Sequence, residues 1–248
     1  MTITLANLSA GYDRHPAVHH VSGRFAAGSL TAIVGPNGGG KSTLLKALVG
    51  FLRPMTGSIN YNGITPRDIA YLPQQSEVDR GFPLNVAEVV ALGHWPKAGA
   101  FRGITSTQQD DVMRALNEVG MAAFAARPIE ALSAGQWQRV LFARLIVQSA
   151  RVILLDEPFA AIDSRTAHDL THILQQWQKE GRTVIAVMHD IVSVRIHFPQ
   201  TLLLARELVA WSSTAEALRD ENLARAQKLA EGWMENAGAC ERDEEHAA

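Results

Sequence analysis

The octapeptide Gly35-Pro36-Asn37-Gly38-Gly39-Gly40-Lys41-Ser42 stands between a short apolar run, Ser29–Val34, and a stretch with helical spacing, Lys41–Val49. This order of strand, glycine-rich loop and helix constrains the chain more than any other feature. It matches G-x-x-x-x-G-K-[ST] in the structural context that the motif requires. Glycines let a loop wrap phosphates with backbone N–H groups and no Cβ in the way. The helix that follows adds its partial positive charge. Lys41 is expected to reach the β- and γ-phosphates of a nucleotide, and the Ser42 hydroxyl to ligate Mg²⁺. Gly35, Pro36, Asn37, Gly38, Gly39, Gly40, Lys41, Ser42 and Thr43 form the expected nucleotide-holding set. The four fixed positions arise by chance in roughly one chain in a hundred of this length.

A second feature completes the chemistry. Val152-Ile153-Leu154-Leu155 is an apolar run that ends in two acids, Asp156 and Glu157. A fully buried parallel strand delivers its C-terminal end to the ligand crevice. Asp156 can hold Mg²⁺ there, and Glu157, pointing elsewhere, can orient or deprotonate an attacking water. Two acids opening a surface loop are common, so the pair gains meaning from the upstream loop.

The rest of the chain supplies an α/β frame. Alternation at Ile3, Leu5 and Leu8 reads as a strand that Gly11 breaks, and Gly57–Asn62 and Asp68–Leu72 read as further strands. Val86–Leu92, Gln108–Val119 and Ala134–Gln148 have helical spacing. Then Val152–Leu155, Thr183–Val187 and Thr201–Leu204 read as strands around a helix at Ser164–Gln178. The alternation predicts a core with a parallel sheet, entered by a helical insertion. The division expected is a core of residues 1–77 and 150–230, a helical sub-domain of residues 78–149, and a frayed tail of residues 231–248. At 248 residues, the chain is long enough for a self-sufficient core. Lys plus Arg number 23 and Asp plus Glu 25, so no basic excess exists to track a nucleic-acid backbone. The single cysteine, Cys240, excludes an internal disulfide framework. No basic and apolar leader is read in Met1–Gly11, and no apolar run nears the roughly 20 residues that span a bilayer. A soluble, cytoplasmic chain that can dock on a membrane protein is expected.

Leu132-Ser133-Ala134-Gly135-Gln136-Trp137-Gln138-Arg139 resembles the signature motif of ABC-type ATPases. Other landmarks of that family follow in order over about residues 1–220. Tyr12 resembles the aromatic that stacks on adenine. Gln74 resembles the Q-loop glutamine that contacts Mg²⁺ and the water. Ala161-Ile162-Asp163 resembles the D-loop, and His189 the switch histidine that holds the γ-phosphate. The resemblance implies a P-loop ATPase core with a parallel sheet, an N-terminal antiparallel β region and an inserted helical sub-domain. It implies ATP and Mg²⁺ as ligands, with Glu157, His189 and Gln74 catalytic and Ser42, Gln74 and Asp156 around the metal. It further implies a head-to-tail pair of protomers, in which Ser133, Gly135, Gln136 and Asp163 of one act on the nucleotide of the other. Two departures from the family pattern are expected to tune the rate. Ala134 replaces a glycine and adds a methyl, and Gly39 stands where many relatives have serine or alanine and leaves the loop floppier.

Within the family, Ser76–Trp95 looks like the post-Q-loop segment of uptake systems for zinc, manganese or iron, where the permease's coupling helix docks. The implied role is the ATP-hydrolysing subunit of an importer at the cytoplasmic face of the inner membrane. Its partners would be separate permease chains and an extracytoplasmic substrate-binding protein, with no nucleic acid. Uptake of a chelated metal, a siderophore or corrinoid, is the alternative, and a soluble ABC ATPase outside transport is a rival. His168 and His172, four apart on a helix, could share a metal, but two ligands without a third read as a solvated face. His19-His20 is equally unsupported, Trp137 and Trp177 read as packing aromatics, and Glu241–Glu245 as a solvated acidic stretch.

Overall fold

The structure is a computed structural model that describes residues 2–13, 15–74, 80–98 and 103–235. Among the described residues, the strands are β1 (Ile3–Tyr12), β2 (His15–Phe25), β3 (Leu30–Val34), β4 (Thr56–Asn60), β5 (Ile69–Leu72), β6 (Val152–Asp156), β7 (Thr183–Val187), β8 (Gln200–Ala205) and β9 (Glu207–Ser213). The helices are α1 (Lys41–Val49), α2 (Val86–Ala91), α3 (Trp95–Ala98), α4 (Ser106–Glu118), α5 (Ala134–Gln148), α6 (Ser164–Lys179), α7 (Ile191–His197), α8 (Thr214–Ala217) and α9 (Asp220–Glu235). Cys240 and Glu241–Glu245 lie outside the described residues, as do residues 76–79 of the post-Q-loop segment.

The chain divides into two compact units. The first comprises Met1–Ala27, Thr31–Gly63 and the chain from Val187 on. Its strands follow the order β4-β1-β2-β9-β8-β3. β1 pairs antiparallel with β2 on one side and β4 on the other, which is the expected antiparallel N-terminal region. β3 runs parallel to β8, in register from Thr31↔Gln200 to Val34↔Leu203. All five residues of β3 are buried, as a strand covered on both faces requires. Gly11 does not break β1. It sits inside the hairpin opposite Pro16, where an added Cβ would come within 2.0 Å of the His15 carbonyl oxygen. The glycine therefore serves close strand approach.

The second unit comprises Gly28–Leu30 and Ile64–Ala186. Its strands follow the order β7-β6-β5, with β5 and β6 parallel from Ile69↔Val152 to Leu72↔Leu155. The expected helical region is present here, with α2, α4 and α5 packed on one another. Val86, Val90, Val112, Leu116, Val140, Leu141 and Leu145 form its buried interior. α5 also packs on α6 and β5. Phe142 stacks on Trp177 with ring centroids 5.8 Å apart, and both rings are buried, so Trp177 is a packing aromatic as read from the sequence. Among the described residues, no helix is long and apolar enough to cross a membrane.

Trp177→Ala is expected to cost about 3–5 kcal/mol, because it removes a buried ring and leaves a cavity beside Phe142. Thermal unfolding followed by circular dichroism should show Tm lowered by roughly 10 °C for a chain of this size.

Candidate nucleotide-binding site

In the first unit, β3 ends at Val34 and the glycine-rich loop runs directly into α1. The cap of α1 is Gly40, in the left-handed region at φ 84°, with no side-chain cap and no acidic residue in the first turn. A Cβ on Gly40 would meet the Ala17 carbonyl oxygen at 2.3 Å, whereas one on Gly38, also left-handed at φ 74°, would meet nothing within 4 Å. The loop is thus packed against β2 at its helix end and open at Gly38. Gly39, where a floppier loop is expected, is hydrogen-bonded through both its N–H and its carbonyl. Its N–H donates to the Pro36 carbonyl at 3.1 Å, and its carbonyl accepts from the Arg206 N–H at 2.9 Å. Lys41 is buried, and its Nζ donates to the carbonyls of Gly35 at 3.0 Å and Pro36 at 2.9 Å. The loop therefore holds its own ammonium over the cradle. Tyr12, at the end of β1, is half exposed, as a ring available for stacking must be. His189 is exposed two residues past β7, and Asp190 beside it caps α7 through the Val192 N–H at 2.9 Å.

In the second unit, all five residues of β6 are buried, and Asp156 is its last. Glu157 follows at φ 50°, a left-handed conformation for a residue with a full side chain. Such a conformation costs of order 1–3 kcal/mol and persists only where its surroundings fix it. Its effect here is to turn Glu157 out of the strand's alternation. Gln74, just beyond β5, donates from Nε2 to Glu157 Oε2 at 3.0 Å. Two residues 83 apart in sequence and assigned separately to one reaction are therefore in contact. Ala161 is left-handed as well, at φ 58°, on the approach to Asp163.

The signature segment lies in the same unit. Ser133 caps α5, its Oγ accepting from the Gln136 N–H at 3.2 Å, while Gln136 Oε1 accepts from the Ser133 N–H at 3.1 Å. This reciprocal box satisfies two helix-end donors. Asp163 caps α6: Oδ1 accepts from the Thr166 N–H at 2.9 Å and Oδ2 from the Thr166 hydroxyl at 2.8 Å. Those two bonds, the backbone one foremost, hold the Asp163 carboxyl below the usual carboxylate range. The two helix starts adjoin, since a Cβ on Gly135 would lie 3.6 Å from Asp163 Oδ2. Arg139 secures them, donating to Asp169 at 2.7 Å and to the Thr166 hydroxyl at 3.4 Å. Sequence reasoning passed over these local roles, although serine followed three residues later by glutamine is a recognisable capping signal.

The discarded histidines have ordinary explanations. His19 is buried, with Nε2 at 3.1 Å from the Pro16 carbonyl oxygen, and burial pulls its pKa down. His168 and His172 are exposed neighbours with ring centroids 4.5 Å apart. No group of three metal-ligating side chains exists among the described residues.

The ABC transporter family model matches residues 18–160. A protein of Chlamydia trachomatis named "Probable metal transport system ATP-binding protein" is 37% identical over 227 residues, covering 90% of this chain and 88% of that protein. The manganese transport system ATP-binding protein MntB of Listeria innocua is 36% identical over 225 residues, covering 89% and 94%. An ATP-binding cassette solved as a dimer in a post-hydrolysis state, bound to ADP and Pi, superposes with a TM-score of 0.75 at 26% identity, covering 86% of this chain and 98% of that one. The chain belongs to the ABC transporter family, as an ATPase subunit whose hydrolysis of ATP is coupled to transport.

Proposed function

We propose that this chain hydrolyses ATP for an importer of a divalent transition-metal ion, manganese foremost. The reaction assignment is carried by the Gln74–Glu157 hydrogen bond at the end of a wholly buried strand. The choice of metal is supported by the manganese and metal transport systems to which the sequence relatives belong.

In this reading, Tyr12 stacks on adenine, and backbone N–H groups within the loop Gly35–Thr43, to which Pro36 contributes none, hold the phosphates at the start of α1, which has no side-chain cap. Lys41 gives up its bonds to the Gly35 and Pro36 carbonyls and transfers its donors to the β- and γ-phosphates. Ser42, Gln74 and Asp156 offer hydroxyl, amide and carboxylate oxygens, a hard donor set that fits Mg²⁺. When bound, Mg²⁺ neutralises charge developing between the β- and γ-phosphates. Glu157 accepts a proton from the water whose oxygen bonds to the γ-phosphorus. The bond from that phosphorus to the bridging oxygen breaks, and ADP and inorganic phosphate leave. Gln74 fixes the Glu157 carboxylate for this, and His189 steadies the γ-phosphate.

A second copy supplies Ser133, Gly135, Gln136 and Asp163 across a two-fold interface. Separate permease subunits carry the path through the membrane, an extracytoplasmic binding protein delivers the ion, and this chain works at the cytoplasmic face. The pair closes on ATP and reopens after hydrolysis, so the γ-phosphate is the switch.

Glu157→Gln should bind ATP–Mg²⁺ as the unsubstituted chain does and hydrolyse it slower by a factor of about 10²–10⁴. The amide keeps the shape and can hydrogen-bond water, but it cannot take the proton. Single-turnover hydrolysis beside calorimetric titration separates the two effects. Hydrolysis at the unsubstituted rate would remove Glu157 from the role of base.

Deleting the gene should lower cellular manganese when that metal is scarce, measured by elemental analysis of chelator-treated cells. Unchanged manganese, zinc and iron, with lost uptake of a siderophore or corrinoid complex or of an unrelated solute, would overturn the free-metal reading.

A further inference from the structure

We infer that Arg80 is a positioning residue for the signature helix α5, tying the chain that follows Gln74 to the backbone that launches Ser133. Arg80 Nη2 donates to the Ile129 carbonyl at 3.2 Å and also to the Leu132 carbonyl. The same guanidinium lies over the Trp137 ring, 5.6 Å from its centroid. Ile129–Ala131 is a single tight turn, Leu132 follows it, and Ser133 is the cap of α5. Trp137 is one turn into that helix and buried. One planar cation therefore grips both the run-in to α5 and its first turn. That fixes the direction in which the Ser133–Gln136 end points. A guanidinium suits this place, since one Nη2 serves both carbonyls while the planar cation lies over an aromatic ring.

A purely stabilising role explains the placement poorly. A cation beside a helix N-terminus works against the macrodipole. The helix start already has its reciprocal cap in Ser133 and Gln136. What Arg80 adds is a mechanical link and positive potential at the end of α5 that would meet an anion. The link also gives a physical route by which displacement of Arg80 is felt at the signature. The inference rests on the reading above, in which Ser133, Gly135 and Gln136 act on the nucleotide of a second copy.

The test uses the full-length chain with Arg80→Met, Arg80→Lys and, as a control on that reading, Ser133→Arg. Each is measured for ATPase kcat and KM, for ATP binding by titration, and for Tm. Loss of charge-assisted hydrogen bonds to two carbonyls should lower kcat about tenfold or more in Arg80→Met. ATP binding and KM should stay within about twofold, because the phosphate loop is untouched. Arg80→Lys, which keeps a charged donor but not the planar group over Trp137, should recover part of the rate. Ser133→Arg should be inactive while still binding ATP. Inactive Ser133→Arg beside Arg80→Met at full kcat would overturn the latch alone. So would a lowered Tm with unchanged kcat per folded molecule, which is what a merely structural arginine predicts. Full turnover in Ser133→Arg would overturn the signature reading and the latch with it. If Arg80→Met does not fold, Arg80→Lys decides, and full kcat there overturns the inference.

Discussion

The start of α1 is built unlike those of α2, α4, α5, α6 and α7. α2, α4, α5, α6 and α7 open with side-chain caps from Asn85, Thr105, Ser133, Asp163 and Asp190. α1 opens at a left-handed glycine with no such cap. A capped helix end has given its first N–H groups to the chain itself, whereas one without a side-chain cap can offer them to an anion. The surrounding structure supports that arrangement. β3 is buried along its whole length, and Gly39 is hydrogen-bonded to Pro36 through its N–H and to Arg206 through its carbonyl. Lys41 completes it: a buried ammonium costs free energy unless it is hydrogen-bonded, and here the loop's own carbonyls do that. Exchanging those carbonyls for phosphate oxygens keeps the ammonium bonded throughout.

The carboxylate end of the chemistry depends on a different device. β6 delivers Asp156 at its last buried position, and the left-handed turn at Glu157 then reverses the direction in which the next side chain would leave a strand. Continued extension would place adjacent residues on opposite faces of the sheet. The turn instead brings Glu157 to Gln74, past the end of the neighbouring parallel strand β5. Parallel pairing of β5 and β6 is what puts both residues at the same end.

The phosphate loop and β6 were legible in the sequence because each is a local signal: fixed glycines with a lysine, or four consecutive apolar residues before two acids. The α5 and α6 helices were legible by period. β2 was not, because its pairing with β1 is irregular. Register shifts fall between Leu5 and Leu8 and again near Ala10, with Asn7 and His20 both left-handed, so the inward residues lose their two-residue period. β9 was missed because most of it is only partly buried. α9 was hidden by its alanine- and acid-rich sequence, which resembles the tail that follows it. The candidate site residues were marked in the sequence by an ordered motif series, whereas the residues that hold them in place carried no such mark. Arg80 carries no sequence signal at all, since a lone arginine in a connecting segment gains its meaning from the carbonyls it meets.

Ser133 and Gln136 raise the question of how residues that already cap a helix can also serve a phosphate. The hydrogen-bond inventory answers it. The Ser133 hydroxyl uses a lone pair to accept from the Gln136 N–H, and its own proton is not consumed. The Gln136 amide accepts through Oε1, and its NH₂ group still has two donors. The box thus engages acceptors of both side chains without using their donors, at a helix end where the dipole also favours an anion. Ala134, the first helical residue, leaves all four of these groups in place, so its extra methyl bears on how closely a phosphate can approach rather than on whether donors exist to receive it. Capping and proposed ligand binding are in this sense one arrangement: the bonds that order the end of α5 also select which of its polar atoms remain for a partner's nucleotide.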